Sequence, residues 1–120
     1  MKENYEEPEN LFNIKKASEF AFLKKQGKKV VGKHYFFVFF PGKEKGFACI
    51  VSKKAGNAVI RNYEKRVMRS FLRTHFQSFP PVRCLVIRIP KRDGSFQDKE
   101  QDFLKALGKI KYRVANEMAE

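Results

Sequence analysis

SKKAGNAVIRNYEKRVMRSF, residues 52–71, is the stretch on which the architecture turns. Set about 100° apart around a helix, Arg61, Asn62, Lys65, Arg66, Arg69 and Arg73 share an arc of roughly 140°, and Ile60, Tyr63, Val67 and Phe71 lie nearly opposite. A helix expected over residues 57–76 therefore packs one side on a sheet and turns five cations and an amide outward. An ordinary solvated face mixes both signs of charge for i,i+4 pairing. Here Glu64 is the sole acid between Lys53 and Arg73, against seven Lys and Arg, which favours a bound polyanion over solvent. The helix is entered through Lys53-Lys54-Ala55-Gly56-Asn57. Gly56 permits φ > 0, Asn57 can cap the first turn, and the free N–H groups there, beside Lys53 and Lys54, suit a phosphate.

Outward from this helix, the flanking segments read as short elements of both kinds. Residues 14–26 have helical spacing, with Lys24 and Lys25 in the last turn and Gly27 as the stop. Residues 34–40, 47–52 and 83–89 read as strands, the first ending at Pro41-Gly42 and the last at Pro90. A closing helix is expected over residues 98–118, with Ser95 or Asp98 near its N-cap. The order α-β-β-α-β-α predicts a single-domain α+β sandwich, helices on a mixed sheet. Residues 1–12, which hold four glutamates, are expected to be a flexible acidic tail, leaving 13–120 as the domain.

In residues 34–40 two apolar sets alternate, Tyr35, Phe37, Phe39 and Phe36, Val38, Phe40. Either both faces are covered by helices, or one is an aromatic shelf on which unpaired bases stack.

Lys and Arg number 26 against 13 Asp and Glu, for a net charge of +13 and a pI near 9.9. That excess points to nucleic acid. No run is long and apolar enough to span a bilayer, the N-terminus is unlike a secretory signal, and no lipidation signal or isolated basic amphipathic helix favours a membrane partner. Cys49 and Cys84 lie in apolar runs without metal spacing, so two buried thiols in the cytoplasm are expected.

The run Lys53-Lys54-x-Gly56-Asn57-Ala58-Val59-x-Arg61-Asn62-x-x-Lys65-Arg66-x-x-Arg69 resembles the signature of the bacterial ribonuclease P protein family, and the resemblance extends from about residue 11 to the end. It implies a four-stranded mixed sheet with three helices and a left-handed β-α-β crossover, against the usual right-handed preference. It further implies that the basic helix and its entry contact the catalytic RNA. A cleft formed by Phe20, Phe36, Val38 and Phe40 would hold the single-stranded five-prime leader of precursor tRNA. Tyr63 stands where the family usually has a second arginine, and Val38 and Lys24 where aromatic residues are common. By the arc above, Tyr63 faces the apolar side.

No catalytic constellation is visible. His34 and His75 sit in no nucleophile or metal motif, His75 being placed to meet helix-terminal carbonyls, and the carboxylates are too scattered for two-metal hydrolysis. The resemblance accordingly implies a noncatalytic cofactor of an endoribonuclease, binding no cofactor itself, with Mg²⁺ held through the RNA subunit. The partners expected are the catalytic RNA and precursor tRNA, with neither DNA nor membrane. A structural or ribosomal RNA-binding protein is the alternative. A transcription factor would need a helix-turn-helix partner where residues 47–51 read as a strand, and a protein nuclease would need a metal or nucleophile site.

Overall fold

The computed structural model describes residues 10–118. Helix α1 spans Ala17–Gln26, followed by β1 (Lys28–Val31), β2 (Tyr35–Pro41), β3 (Gly46–Ile50), α2 (Ala58–Thr74), β4 (Val82–Arg88) and α3 (Phe96–Arg113), with short 3-10 turns at Lys53–Ala55 and Phe76–Ser78 and a π-helical extension at Val114–Met118. The sheet runs β1-β2-β4-β3. β1 and β4 pair antiparallel with β2, while β3 pairs parallel with β4. The mixed sheet and three helices are those expected. α2 is the crossover between the two parallel strands.

Alternation along β2 builds two cores. Tyr35, Phe37 and Phe39 face α2 and α3, where Val67, Met68, Phe71, Leu72, Phe103 and Ile110 complete the main core. Phe36, Val38 and Phe40 face the other way, with Leu85 of β4 and with Ile14 and Leu23 beneath α1. One ten-residue helix cannot cover four strands, so the second face is only partly closed.

Gly27 follows α1 at φ −70°, an ordinary value, so backbone freedom is not its purpose. A Cβ there would stand 2.5 Å from the Leu23 carbonyl and 2.6 Å from Val38 Cγ1, and the helix can lie against β2 only without one. α3 starts at Ser95, whose hydroxyl accepts from the Asp98 N–H while the Asp98 carboxylate accepts from the Ser95 N–H. Both residues expected near the cap therefore take part in one capping box.

Four expectations are corrected. Of the tail expected at 1–12, residues 1–9 lie outside the described residues, but Leu11 is 3% exposed in the main core and Phe12 packs against it. The Leu11 carbonyl accepts from the Phe47 N–H at 3.0 Å, so this segment lines the outer edge of β3. Residues 28–31, unassigned by periodicity, are β1. His75 meets no terminal carbonyl through its ring; Nε2 pairs with Glu100 Oε2 at 3.0 Å, joining α2 to α3. Both cysteines are free, Cys84 buried and Cys49 only half-buried; burial pushes the Cys49 thiol up to about 12.

Candidate nucleic-acid interface

The entry to α2 is held by its own polar groups. Gly56 has φ 143°, a region that favours glycine. Asn57 Oδ1 accepts from the Ile60 N–H at 3.0 Å, the cap expected of it. Arg61 Nη1 donates to the Gly56 carbonyl at 2.8 Å, so this cation braces the loop as well as contributing charge. Lys53 and Lys54 stand exposed beside the first turn.

Asn62, Arg66, Arg69 and Arg73 are exposed along α2, and Arg61 and Lys65 half-exposed, so the arc expected from sequence forms one face. Its single acid is withdrawn from it. Glu64 is 8% exposed, with Oε1 accepting from Arg88 Nε at 2.8 Å and Oε2 from Lys99 Nζ at 3.2 Å. Burial pushes the Glu64 carboxyl up, and the Arg88 and Lys99 cations outweigh burial and hold it below its ordinary value. Among the described residues, the outward face consequently carries cations and an amide and no carboxylate.

The face is also arranged by aromatic rings. Arg66 lies over Tyr63 at 5.7 Å, and Arg69 and Arg73 lie over Phe12 at 5.6 and 5.2 Å. Cation–π contacts of this kind contribute about 0.5–1 kcal/mol each at exposed sites. Phe12 was missed by the sequence reading; the apolar pair Leu11-Phe12 ending a polar segment was the signal. Tyr63 and Ile60, placed on the apolar side by helical spacing, are each 43% exposed. Ile60 instead covers the backbone of Gly56, and Tyr63 lies between the Arg66 and Lys99 cations.

On the opposite side of the sheet, the pairing registers line up Val31, Phe36, Ile87 and Ile50 as one cross-strand row. Phe36, Ile87 and Ile50 are half-buried and Val31 is exposed, so this row is an open apolar floor beside α1. Phe20 and Phe40, half-buried, border it, and the exposed Phe22 ring meets Phe40 edge-on at 5.1 Å. Glu19 and Arg83 form a two-bonded pair at 2.6 and 3.0 Å that ties α1 to β4. Val38, expected in the cleft, is 2% exposed beneath α1 and offers no surface to a ligand. Ile50, Ile87 and Phe22 were not foreseen as cleft residues.

Among the described residues no three His, Cys, Asp or Glu side chains come together as a metal site, and no helix is long and apolar enough to cross a membrane.

A family model described as Ribonuclease P matches residues 9–111. Over 101 residues the chain is 31% identical to the ribonuclease P protein component of a Nitratiruptor species, covering 83% of this chain and 93% of that one. Over 91 residues it is 35% identical to that of Staphylococcus carnosus, with 71% and 77% covered. The solved RNase P protein of Staphylococcus aureus superposes with a TM-score of 0.71 at 28% identity, over 82% of this chain and 93% of that one.

Proposed function

The chain belongs to the ribonuclease P protein family, and from that premise we propose that it contacts RNA through two surfaces, the catalytic RNA on α2 and the leader of precursor tRNA in the cleft beside α1. Membership makes it a protein subunit of the endoribonuclease, acting in tRNA processing and associating with ribonuclease P RNA. The observation that carries the first surface is the withdrawal of Glu64. With that carboxylate turned inward, Lys53, Lys54, Arg61, Lys65, Arg66, Arg69 and Arg73, together with Asn57 and Asn62, can face a polyanion without Glu64 repelling it. Arginine forks donate two parallel hydrogen bonds to a phosphate, and lysines add mobile charge. Gly56 lets the loop backbone approach.

The cleft has the chemistry for unpaired bases. Phe20, Phe36 and Phe40 provide half-exposed rings, and stacking on such rings contributes about 1–3 kcal/mol per base. Val38 supports the floor from below. In this reading the protein raises substrate affinity and screens phosphate repulsion in the folded RNA. The RNA subunit holds Mg²⁺ and cleaves the phosphodiester, and the complex works in the cytoplasm.

The direct test is reconstitution. Added to ribonuclease P RNA at low Mg²⁺, the chain should stimulate cleavage of leader-bearing tRNA; absence of stimulation would sink the proposal in favour of a structural RNA-binding role. Arg69→Ala should weaken catalytic-RNA binding and reduce the salt slope of log affinity by about one. An unchanged affinity and slope would return that face to solvent. Phe20→Ala should lower affinity for leader-bearing precursor more than for mature tRNA, and equal losses would place Phe20 outside the substrate path.

A further inference from the structure

We propose that the trench between edge strand β1 and helix α3 is a second track for single-stranded RNA, taking the upstream part of the leader after it leaves the sheet cleft. The inference rests on the leader reading above and extends it.

The trench opens as a cleft of about 1040 Å³ between the β1–β2 turn, the segment after β4 and the first half of α3. It continues along β1 into a second hollow of about 600 Å³, and Val31, Lys105 and Lys109 line both. Its walls carry Lys33, Lys91, Arg92, Lys105 and Lys109. Two of the carboxylates in the same walls are engaged by the protein. Asp102 accepts from the backbone N–H groups of Lys33 and His34 at 2.9 and 2.8 Å, and Asp98 is closed in the capping box with Ser95. The trench thus presents cations to a ligand while much of its negative charge is spent on backbone donors, which suits a phosphate chain. At the far end Tyr112 is 63% exposed and lines the second hollow, a ring on which a base can stack.

The walls are tied to one another. Arg92 Nη1 donates to the Lys33 carbonyl at 3.2 Å, and the Arg92 carbonyl accepts from the buried Arg88 guanidinium at 2.8 Å. Lys91 is held at φ 62°, a conformation unfavourable for a non-glycine residue and maintained here by these anchors.

Continuity with the cleft assigns the occupant. Val31 sits on the cleft face opposite Phe36, is 62% exposed, and also lines the trench. The other end of the same row is Ile50, from which the chain runs through Ser52 to Lys53 at the entry of α2. A leader crossing the floor from the catalytic-RNA side therefore leaves the sheet over Val31 and enters the trench. Four strands at about 4.8 Å spacing place β1 about 14 Å from β3, so the trench lies on the sheet edge away from the α2 entry.

The experiment uses the holoenzyme reconstituted from catalytic RNA and the full chain, with three ligands: mature tRNA, precursor with a leader just long enough to cross the sheet, and precursor with a leader about twice that length. The unmodified holoenzyme should bind the long-leader precursor tightest. The triple variant Lys33→Ala, Lys105→Ala, Lys109→Ala should lose roughly tenfold in affinity for that substrate and about 2 from its salt slope, with short-leader and catalytic-RNA binding unchanged. These lysine side chains are exposed, so the variant should keep the fold, which its unfolding midpoint reports. Equal affinity of the unmodified holoenzyme for long and short leaders would overturn the proposal. So would equal losses for all three ligands, or a loss of catalytic-RNA binding, which would put the trench against the RNA subunit. Failure of the underlying cleft reading is distinct: Phe36→Ala would then leave the affinity for short-leader precursor unchanged.

Discussion

Glu64→Gln should destabilise the protein by about 3–5 kcal/mol, because it strips the counter-charge from two buried cations. Against a typical total of about 5–15 kcal/mol this is a large share. The Arg88 guanidinium also donates to the carbonyls of His34, Ile89 and Arg92, at 3.1, 2.9 and 2.8 Å, and the Lys99 ammonium lies over the Tyr63 ring at 5.6 Å. Neither cation can swing out to water without abandoning those partners. Arg88→Met should cost more than Lys99→Met, since three carbonyls lose a donor together with the carboxylate. The pH dependence has a definite sign. The folded carboxyl is held below its unfolded value, so its stabilising contribution is complete above the ordinary carboxylate range and fades as pH falls through the depressed folded value. Urea midpoints measured from neutral to acid pH should converge for wild type and Glu64→Gln at the acid end. A constant gap across that range would show that the loss is one of packing and not of charge.

Phe103→Ala is expected to cost a similar amount, about 3–5 kcal/mol, for a different reason. The Phe103 ring is fully buried on α3 and meets Tyr35, Phe37, Phe71 and Phe79 at centroid distances of 6.2, 5.5, 5.4 and 6.0 Å. It joins β2, α2 and the segment before β4 to one helix. These rings hold one another in edge and tilted contacts, so the space left by truncation cannot be refilled by a single rotamer change. Phe103→Leu should recover most of the loss. Because the ring packs on the buried side of α2 through Phe71, opposite the cationic face, the folded fraction of Phe103→Ala should bind catalytic RNA with unchanged affinity. A weakened affinity after correction for unfolding would mean that α3 controls the posture of α2.

How far the fold could be read depended on whether a residue's neighbours were close in sequence. α2 was legible because its basic arc, its cap and its buried stripe of Val67 and Phe71 all repeat at helical spacing. Ile60 and Tyr63 obey the same spacing but end exposed, since the first turns of α2 cover a loop and a pair of cations instead of the sheet. β1 was invisible because it is an edge strand of four residues, two of them exposed lysines, with only Val30 buried. Nothing local marks it; its pairing with β2 makes it a strand. Phe12 and Leu11 followed four glutamates and looked like the end of a tail, although the β3 edge gives them a backbone partner. The alternating strand 34–40 left open whether both of its faces are covered, and the cover on the second face is partial: Val38 is sealed under α1, while Phe36 and Phe40 keep part of their rings at the surface. That division follows from the length of α1 and the close approach at Gly27, neither of which is encoded in the strand itself.

The strand order β1-β2-β4-β3 has a consequence for how the chain leaves the ribosome. β2 and β3 are consecutive in sequence yet do not pair, and the strand that separates them is completed only at Arg88. Translation at about 5–20 residues per second leaves an interval of seconds in which the phenylalanine-rich β2 has β1 on one side and an open backbone edge on the other. An open, apolar edge of this kind is prone to aggregate. Synonymous codons that slow elongation in the window when β2 has emerged and β4 has not should lower soluble yield, at an unchanged amino-acid sequence.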